Sequence, residues 1–228
     1  MARNFNGSSD YIEIDAGILN PQSGGIFSIG GWVKAAAQSN HGLYAEGNAS
    51  NQFLWLSSSS ASTSKGHFAA SNGSMVNSTV ADVFDGNWHH FLATYNAGPN
   101  TVYVDGLFDS SGTSPGINAL NVGALGALRR GSPTSQGNFL NGSMAHWASW
   151  TVELTSAEAA LLGGGLYPNL LGRLPVHYWA LGGQSPEPDT GTPGGANGNV
   201  NGTTVVTDPP LMHGLTVTEI LPMMRLGR

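Results

Sequence analysis

Asn87-Trp88-His89-His90-Phe91-Leu92-Ala93-Thr94-Tyr95, followed by Thr101-Val102-Tyr103-Val104-Asp105-Gly106, is the stretch that decides how this chain folds. Aromatic and β-branched residues dominate both runs, the composition that fits a pleated, half-buried surface. Val102 and Val104 fall on one face and Tyr103 on the other, the period of a strand. Asp105-Gly106 then offers the positive-φ positions of a tight hairpin. The spacing predicts two antiparallel strands, the second ending in a Tyr-x-Asp-Gly turn.

The same punctuation recurs on both sides of this hairpin. Asn6-Gly7, Asn72-Gly73, Asp85-Gly86, Asn141-Gly142 and Asn201-Gly202 read as turns. Between them lie short strand-like runs: Tyr11-Ile12-Glu13-Ile14 with both isoleucines inward, and Phe53-Leu54-Trp55-Leu56, apolar on both faces. Thr155-Ser156-Ala157-Glu158 has the spacing of a capping box, which predicts one short helix over 156–162 that Gly163-Gly164-Gly165 stop. The serine-rich run 57–64 reads as a solvated loop, 184–198 as Pro/Gly-rich coil, and 199–206 as a last strand. Short strands at regular spacing indicate a sandwich or barrel.

Composition narrows the function classes. The 228 residues suit one all-β domain, with 33 glycines and 12 prolines marking many turns. Only 10% of residues are charged and the net charge is −6, so no basic surface is available to displace counterions from a phosphate backbone. Nucleic acid is therefore not an expected partner. Cysteine is absent, which removes disulfides and thiolate metal sites. No apolar run approaches the roughly 18 residues of a membrane span, and Met1-Ala2-Arg3-Asn4 leads into a strand without a signal-like segment. The expectation is a chain made soluble in the cytosol that reaches any external site without a cleaved leader.

Several segments then agree with one family. Residues 6–14, Phe27-Ser28-Ile29-Gly30-Gly31-Trp32-Val33, the Trp88 to Gly106 hairpin, residues 139–150 with the helix after them, and residues 174–181 together resemble the laminin G-like and pentraxin-like superfamily. The resemblance covers about residues 4–207 and implies a concanavalin A-like jelly roll of two antiparallel sheets. It also implies where calcium would sit in pentraxin-like members: an acidic cluster just after the strand that here reads Leu120-Asn121-Val122-Gly123. This chain has Ala124-Leu125-Gly126-Ala127 there, and Thr151 where an Asp often follows the strand Trp. A hard cation needs six to eight oxygen ligands, so no cofactor is expected; calcium stays possible, but without the pentraxin-type acidic cluster.

The residues offer no catalytic site. Retaining glycoside hydrolysis needs two carboxyl groups about 5 Å apart. Glu13-Ile14-Asp15 puts two acids on one strand face, but no third acid follows, and a solvated face is the simpler reading. His89 and His90 point to opposite faces of a strand and cannot chelate one ion together. His41, His67, His146, His177 and His213 are scattered. The Asn-x-Ser/Thr triplets at Asn6, Asn48, Asn72, Asn77, Asn141 and Asn201 are mostly turn asparagines, and Trp32, Trp55, Trp88, Trp147, Trp150 and Trp179 sit mostly in core-like contexts. The expectation is a non-enzyme.

The last clue is the chain end. After Pro209-Pro210 the segment 209–228 carries Leu215, Val217, Ile220, Leu221, Met223, Met224 and Leu226, more apolar than a loose tail. This divides the chain into a jelly-roll domain, 1–208, and an apolar C-terminal arm, 209–228. Domains resembling this one occur in phage tail, fibre and capsid-decorating proteins, which implies a structural virion component made in the host cytoplasm. The arm would then dock on other virion proteins or on further copies of the chain, in an oligomer, with cell-surface glycans as further partners. The alternative is a soluble carbohydrate-binding lectin, placed outside the cell by a non-classical route.

Overall fold

A computed structural model describes residues 1–14, 17–19, 25–48, 50, 53–69, 77–114, 120–130, 135–209 and 211. The strands of the first half are β1 (Ala2–Asn6), β2 (Tyr11–Ile14), β3 (Ile26–Lys34), β4 (Gly42–Gly47), β5 (Phe53–Ser58), β6 (Lys65–Ala69) and β7 (Asn77–Asp82). Then come β8 (Trp88–Asn96), β9 (Pro99–Val104), β10 (Leu107–Thr113), β11 (Val122–Leu125), β12 (Leu128–Arg130), β13 (Ser135–Gly137) and β14 (Asn141–Trp150). The helix α1 (Ser156–Gly163) precedes β15 (His177–Trp179), β16 (Asn199–Asn201) and β17 (Thr204–Val206).

Two antiparallel sheets face each other. One has eight strands, in the order β10-β9-β8-β3-β14-β1-β17, with β15 also paired to β14; the other has seven, in the order β16-β2-β11-β4-β5-β6-β7. The expected concanavalin A-like sandwich is therefore what forms. Alternate residues of both sheets fill the space between them: Phe5, Ile12, Ile14, Ile29, Leu54, Leu56, Phe91, Val102, Trp147 and Trp179 belong to one cluster. Burying each such side chain contributes about 1.5–3 kcal/mol, which is why the period-two pattern sets the register.

The deciding hairpin forms as read. β8 pairs with β9 from Phe91↔Val104 to Tyr95↔Asn100, and Asp105 (φ 50°) and Gly106 (φ 79°) turn the chain into β10. Gly106 has a second reason to lack a side chain, since a Cβ there would lie 2.7 Å from Cα of Ala160 in the helix. The helix carries the expected capping box: Glu158 N–H donates to Thr155 Oγ1, and Thr155 N–H donates to the Glu158 carboxylate at 2.8 Å. Leu154, Ala159 and Leu162 pack it on the outside of the eight-stranded sheet, over Leu92, Tyr103, Ala148 and Trp150.

At one end of the sandwich the edge strands β7 and β10 come together. The Asp109 carboxylate on β10 accepts the backbone N–H groups of Val80 (2.7 Å) and Ala81 (2.8 Å) on β7. At the other end the chain crosses between sheets. Residues 199–206 are two short strands rather than one: β16 pairs with β2 in the seven-stranded sheet, and β17 with β1 in the eight-stranded one. Asn201-Gly202 turns between them, with Gly202 at φ 71°, so the same apolar alternation serves two sheets. A buried ion pair ties this region down: Arg3 Nε donates to Glu187 Oε2 at 2.9 Å, with both side chains almost fully buried.

Two other expectations are corrected. The serine run is not wholly a loop: Ser57 and Ser58 end β5, and Ser57, Ser58 and Ser59 are buried, because the strand's alternation continues past Leu56. Asn141-Gly142 opens β14 instead of turning, and a Cβ on Gly142 would lie 2.5 Å from Ala35 Cβ. The arm residues Leu215, Val217, Ile220, Leu221, Met223, Met224 and Leu226 lie outside the described residues.

Candidate functional site: the two outer faces

Each sheet has an outer face, and the two are furnished differently. On the eight-stranded sheet the helix covers one part, and the chain ends gather on another. Trp32, which pairs with both His90 and Ala145, clusters with Ala2, Ala145 and Leu211, flanked by Trp88, Tyr167 and Val206. Leu211 is therefore seated on the sheet. The amino-terminal ammonium pairs with the Asp208 carboxylate, whose Oδ1 lies 3.4 Å from His146 Nε2. His146 itself sits in a bulge of β14 at φ 53°, with Nδ1 2.7 Å from the Tyr178 hydroxyl.

The outer face of the seven-stranded sheet presents two registered rows. Across β16, β2, β11, β4, β5 and β6 runs Asn199, Glu13, Ala124, Ala45, Trp55, Ala69. Beside it, Gly42 faces Ser57 and Ser57 faces His67. The β12–β13 hairpin lies over part of this face: Leu128 joins Ala45, Phe53, Trp55 and Ala69 in one cluster, and Gly42 N–H donates to Asn138 O at 2.7 Å. Arg129, also from the hairpin, donates to Ile14 O at 3.0 Å and pairs with the Glu13 carboxylate. Leu128, Ser135, Gln136, Gly137 and Asn138 line a hollow of about 110 Å³.

Three polar atoms on this face have no hydrogen-bond partner: Trp55 Nε1, Ser57 Oγ and His67 Nε2, all in residues with 7% exposure or less. Burial lowers the His67 pKa to about 4, so the imidazole is neutral at ordinary pH. The Trp55 and His67 rings meet edge to face, centroids 5.9 Å apart. Trp55 is thus a covered aromatic and not an open stacking platform.

The remaining polar constellations are accounted for by structure. Glu13 is half-buried and paired with Arg129, and its companion Asp15 lies outside the described residues. Glu46 is fully buried, and its Oε1 accepts from Ile18 N, Leu19 N and the Tyr44 hydroxyl at 2.6–2.9 Å, holding the segment after β2. His177 Nδ1 lies 2.6 Å from Asp189 Oδ2, but that carboxylate also accepts from the Tyr178, Gly191 and Ala196 amides and so organises a turn. His89 is held between Asp105 (2.8 Å) and Asp85 (3.0 Å), whereas His90 faces the other way beside Trp32. The hydrogen bond that His89 donates to Asp105 raises the His89 pKa, and the Asn87 amide lowers that of Asp85 to about 2. Asn6 accepts three backbone amides in its turn, which explains that asparagine without a glycan.

At the place where the resemblance puts a pentraxin-type calcium cluster, Ala124-Leu125-Gly126-Ala127 supply no side-chain oxygen. Ala124 faces outward without a ligand oxygen and Leu125 is in the core. Among the described residues no three His, Asp or Glu side chains converge as a metal site would require.

A family model for the concanavalin A-like lectin/glucanases superfamily matches residues 6–160, from the first turn into the helix that rests on Gly106. The chain belongs to that superfamily. The sandwich of this superfamily member is similar to a putative carbohydrate-binding protein from Bacteroides ovatus, with a TM-score of 0.65 at 17% identity. That match covers 92% of this chain and 60% of the other, so this superfamily member spans less than two thirds of that protein. A heptameric SAP-like pentraxin from Limulus polyphemus matches at TM-score 0.57 and 10% identity, over 71% of this chain and 81% of its own. Domains LG4-5 of the mouse laminin alpha1 chain match at 0.50 and 16%, over 68% and 43%. At such identities the likeness carries the fold. No curated sequence matches significantly.

Sequence reading places the six tryptophans only in part. Trp147 and Trp179 are in the central core, while Trp32, Trp55 and Trp150 are buried on outer faces beneath other elements. It misses the Trp55, Ser57, His67 group. The signal is present in Phe53, Trp55 and Ser57, three alternate residues on one side of a strand, but the serine run after them reads as loop.

Proposed function

We propose that the chain is a non-enzymatic display module: one face fastens to a larger assembly, a virion, and the sandwich presents a carbohydrate-binding surface on the other. One observation carries this reading. The helix, the Met1–Asp208 pair and Leu211, the last described residue, all lie on the outer side of the eight-stranded sheet, and the seven-stranded sheet faces the opposite way. The apolar composition of residues 212–228 suits docking on other virion proteins or on further copies of the chain. Each square ångström it buries would contribute about 25 cal/mol before the cost of ordering the segment.

Removing everything after Asp208 tests the anchoring. The expected result is a truncated chain that keeps its melting temperature within a few degrees but no longer enters particles or forms the full-length oligomer. Unchanged incorporation would overturn the anchoring role. The second reading, a free carbohydrate-binding lectin, draws on the superfamily and on the likeness to the Bacteroides ovatus protein. It expects glycan-array binding that survives EDTA with the truncated and full-length chains equal.

A further inference from the structure

We propose that the open edge of β17 receives the arm of a second copy: residues 215–221 of one chain add as a strand beyond Thr204–Val206 of its neighbour. This rests on the anchoring half of the function proposed above, and adds to it the partner, the edge and the mode of contact.

The first ground is the arm's own pattern. Leu215-Thr216-Val217-Thr218 alternates apolar and polar residues, and four of the seven residues from Leu215 to Leu221 are β-branched. Gly214 before the run and Pro222 after it are residues that bound strands. An extended run of this kind needs a sheet edge to take up its backbone N–H and C=O groups.

The second ground is the edge. At one end of the sandwich β7 gives its Val80 and Ala81 amides to Asp109 of β10. At the other, the segment leading into β16 is bridged through Gly198 to Glu187, with both backbone bonds at 2.8 Å. β17 differs. It ends the eight-stranded sheet, Thr204 and Val205 are exposed, and among the described residues no backbone group of β17 bonds to anything beyond β1. One row of its N–H and C=O groups therefore faces outward, a template on which an extended segment can add. None of the devices that blunt an edge, a lysine, a proline or a bulge, falls within Thr204-Val205-Val206. Gly183 rests against Val205 yet leaves it 47% exposed, and Met1, just before β1, is 60% exposed, so the edge also offers apolar contacts.

The third ground is direction. Asp208 lies beside His146 of β14, and Leu211 packs on Trp32 of β3, so the chain after β17 travels across the outer face, away from its own edge. To serve that edge itself it would have to turn back within Met212-His213-Gly214 and recross β14 and β1, about 10 Å of strand spacing. A neighbour's edge needs no reversal. Each chain then gives one strand and accepts one, a head-to-tail contact that builds rings or rows of copies.

The test uses the full-length chain, whose lack of cysteine lets single thiols be placed at will. Val205→Cys is mixed with each arm variant from Leu215→Cys to Leu221→Cys and oxidised. The expected result is a disulfide between two chains whose yield alternates with period two along the arm, because successive strand side chains point to opposite faces. Val217→Pro, which keeps the residue apolar but removes its N–H, should weaken self-association about tenfold in sedimentation. Melting temperatures of the variants check their folding. Disulfides formed only within single chains of the double variant Val205→Cys/Val217→Cys overturn the second copy as occupant. A full-length chain that stays monomeric, yet enters particles only with its arm, overturns it in favour of another virion protein. Equal yields along the arm, or none, with self-association lost on removing residues 209–228, overturn strand addition while the anchoring role stands. Particle incorporation unchanged by that truncation overturns both.

Discussion

Glu187→Gln is the substitution expected to loosen the C-terminal quarter of the sandwich most for the least change in shape. The Arg3 side chain is 4% exposed and that of Glu187 1%, so neither charge has water to fall back on. Arg3 also donates to Thr203 Oγ1 at 2.7 Å and to Gln184 O, and Glu187 Oε1 accepts from Gly182 N–H at 2.8 Å. These bonds hold the guanidinium in place when the carboxylate becomes an amide, leaving a positive charge buried without its counter-charge. Breaking such a pair from one side costs about 3–5 kcal/mol. For a domain of this size each kcal/mol moves the melting temperature by about 2–4 °C, so a drop of about 6–20 °C is expected. Urea unfolding of Glu187→Gln, Arg3→Met and the pair Arg3→Met/Glu187→Gln gives the coupling. The double variant should recover at least half of the single loss, because it buries no charge at all. A loss below about 1 kcal/mol in Glu187→Gln, the worth of an exposed pair, would refute the reasoning. So would a double variant as unstable as the two singles added.

Two further outcomes follow from groups in the same sandwich. Burial lowers the pKa of His67 and of His90 to about 4, below the ordinary 6.5 that each regains on unfolding. Their contribution to stability is complete above about pH 6.5, falls as pH drops towards 4, and amounts to roughly 3 kcal/mol for each. His89 has the opposite sign: its raised pKa stabilises below pH 6.5 and that gain disappears as pH rises through the folded value. Melting curves from pH 4 to 8 should show the acid-side loss shrink in His90→Gln and the alkaline-side loss shrink in Asp105→Asn. Gly106→Ala is expected to destabilise by more than about 1 kcal/mol, since φ is +79° and the new Cβ would meet Ala160 Cα at 2.7 Å. Thermal unfolding measures it, and an unchanged melting temperature would mean that the helix can move off the turn at no cost.

How much of this was legible in the sequence depends on the range of the interaction. The β8–β9 hairpin, the capping box at Thr155 and the inward Ile12 and Ile14 were legible because period and turn chemistry are local. The split of residues 199–206 between two sheets was not, because one alternating pattern fits either sheet and only the crossing at Asn201-Gly202 chooses. The burial of Ser57 and Ser58 was hidden for a related reason: a serine faces the core or the solvent according to what its strand neighbours do. The Arg3–Glu187 pair spans 184 positions and left no local trace. The likeness to a lectin fold was readable from five segments, whereas the grouping of Trp55, Ser57 and His67 needed strands β5 and β6 to be brought into register.

The Asp109 carboxylate, which takes up the amides of Val80 and Ala81, bears on how many copies can stand side by side. Around it the surface is greasy: Val80, Leu107 and Phe108 are 74%, 72% and 63% exposed, on the two outermost strands. Such an edge is a template for a neighbour's strand, and at high local concentration copies would zip together. A charged side chain already seated on the β7 amides denies the newcomer those hydrogen bonds and confronts it with a carboxylate. Neighbouring copies can then be held close without fusing into a continuous sheet.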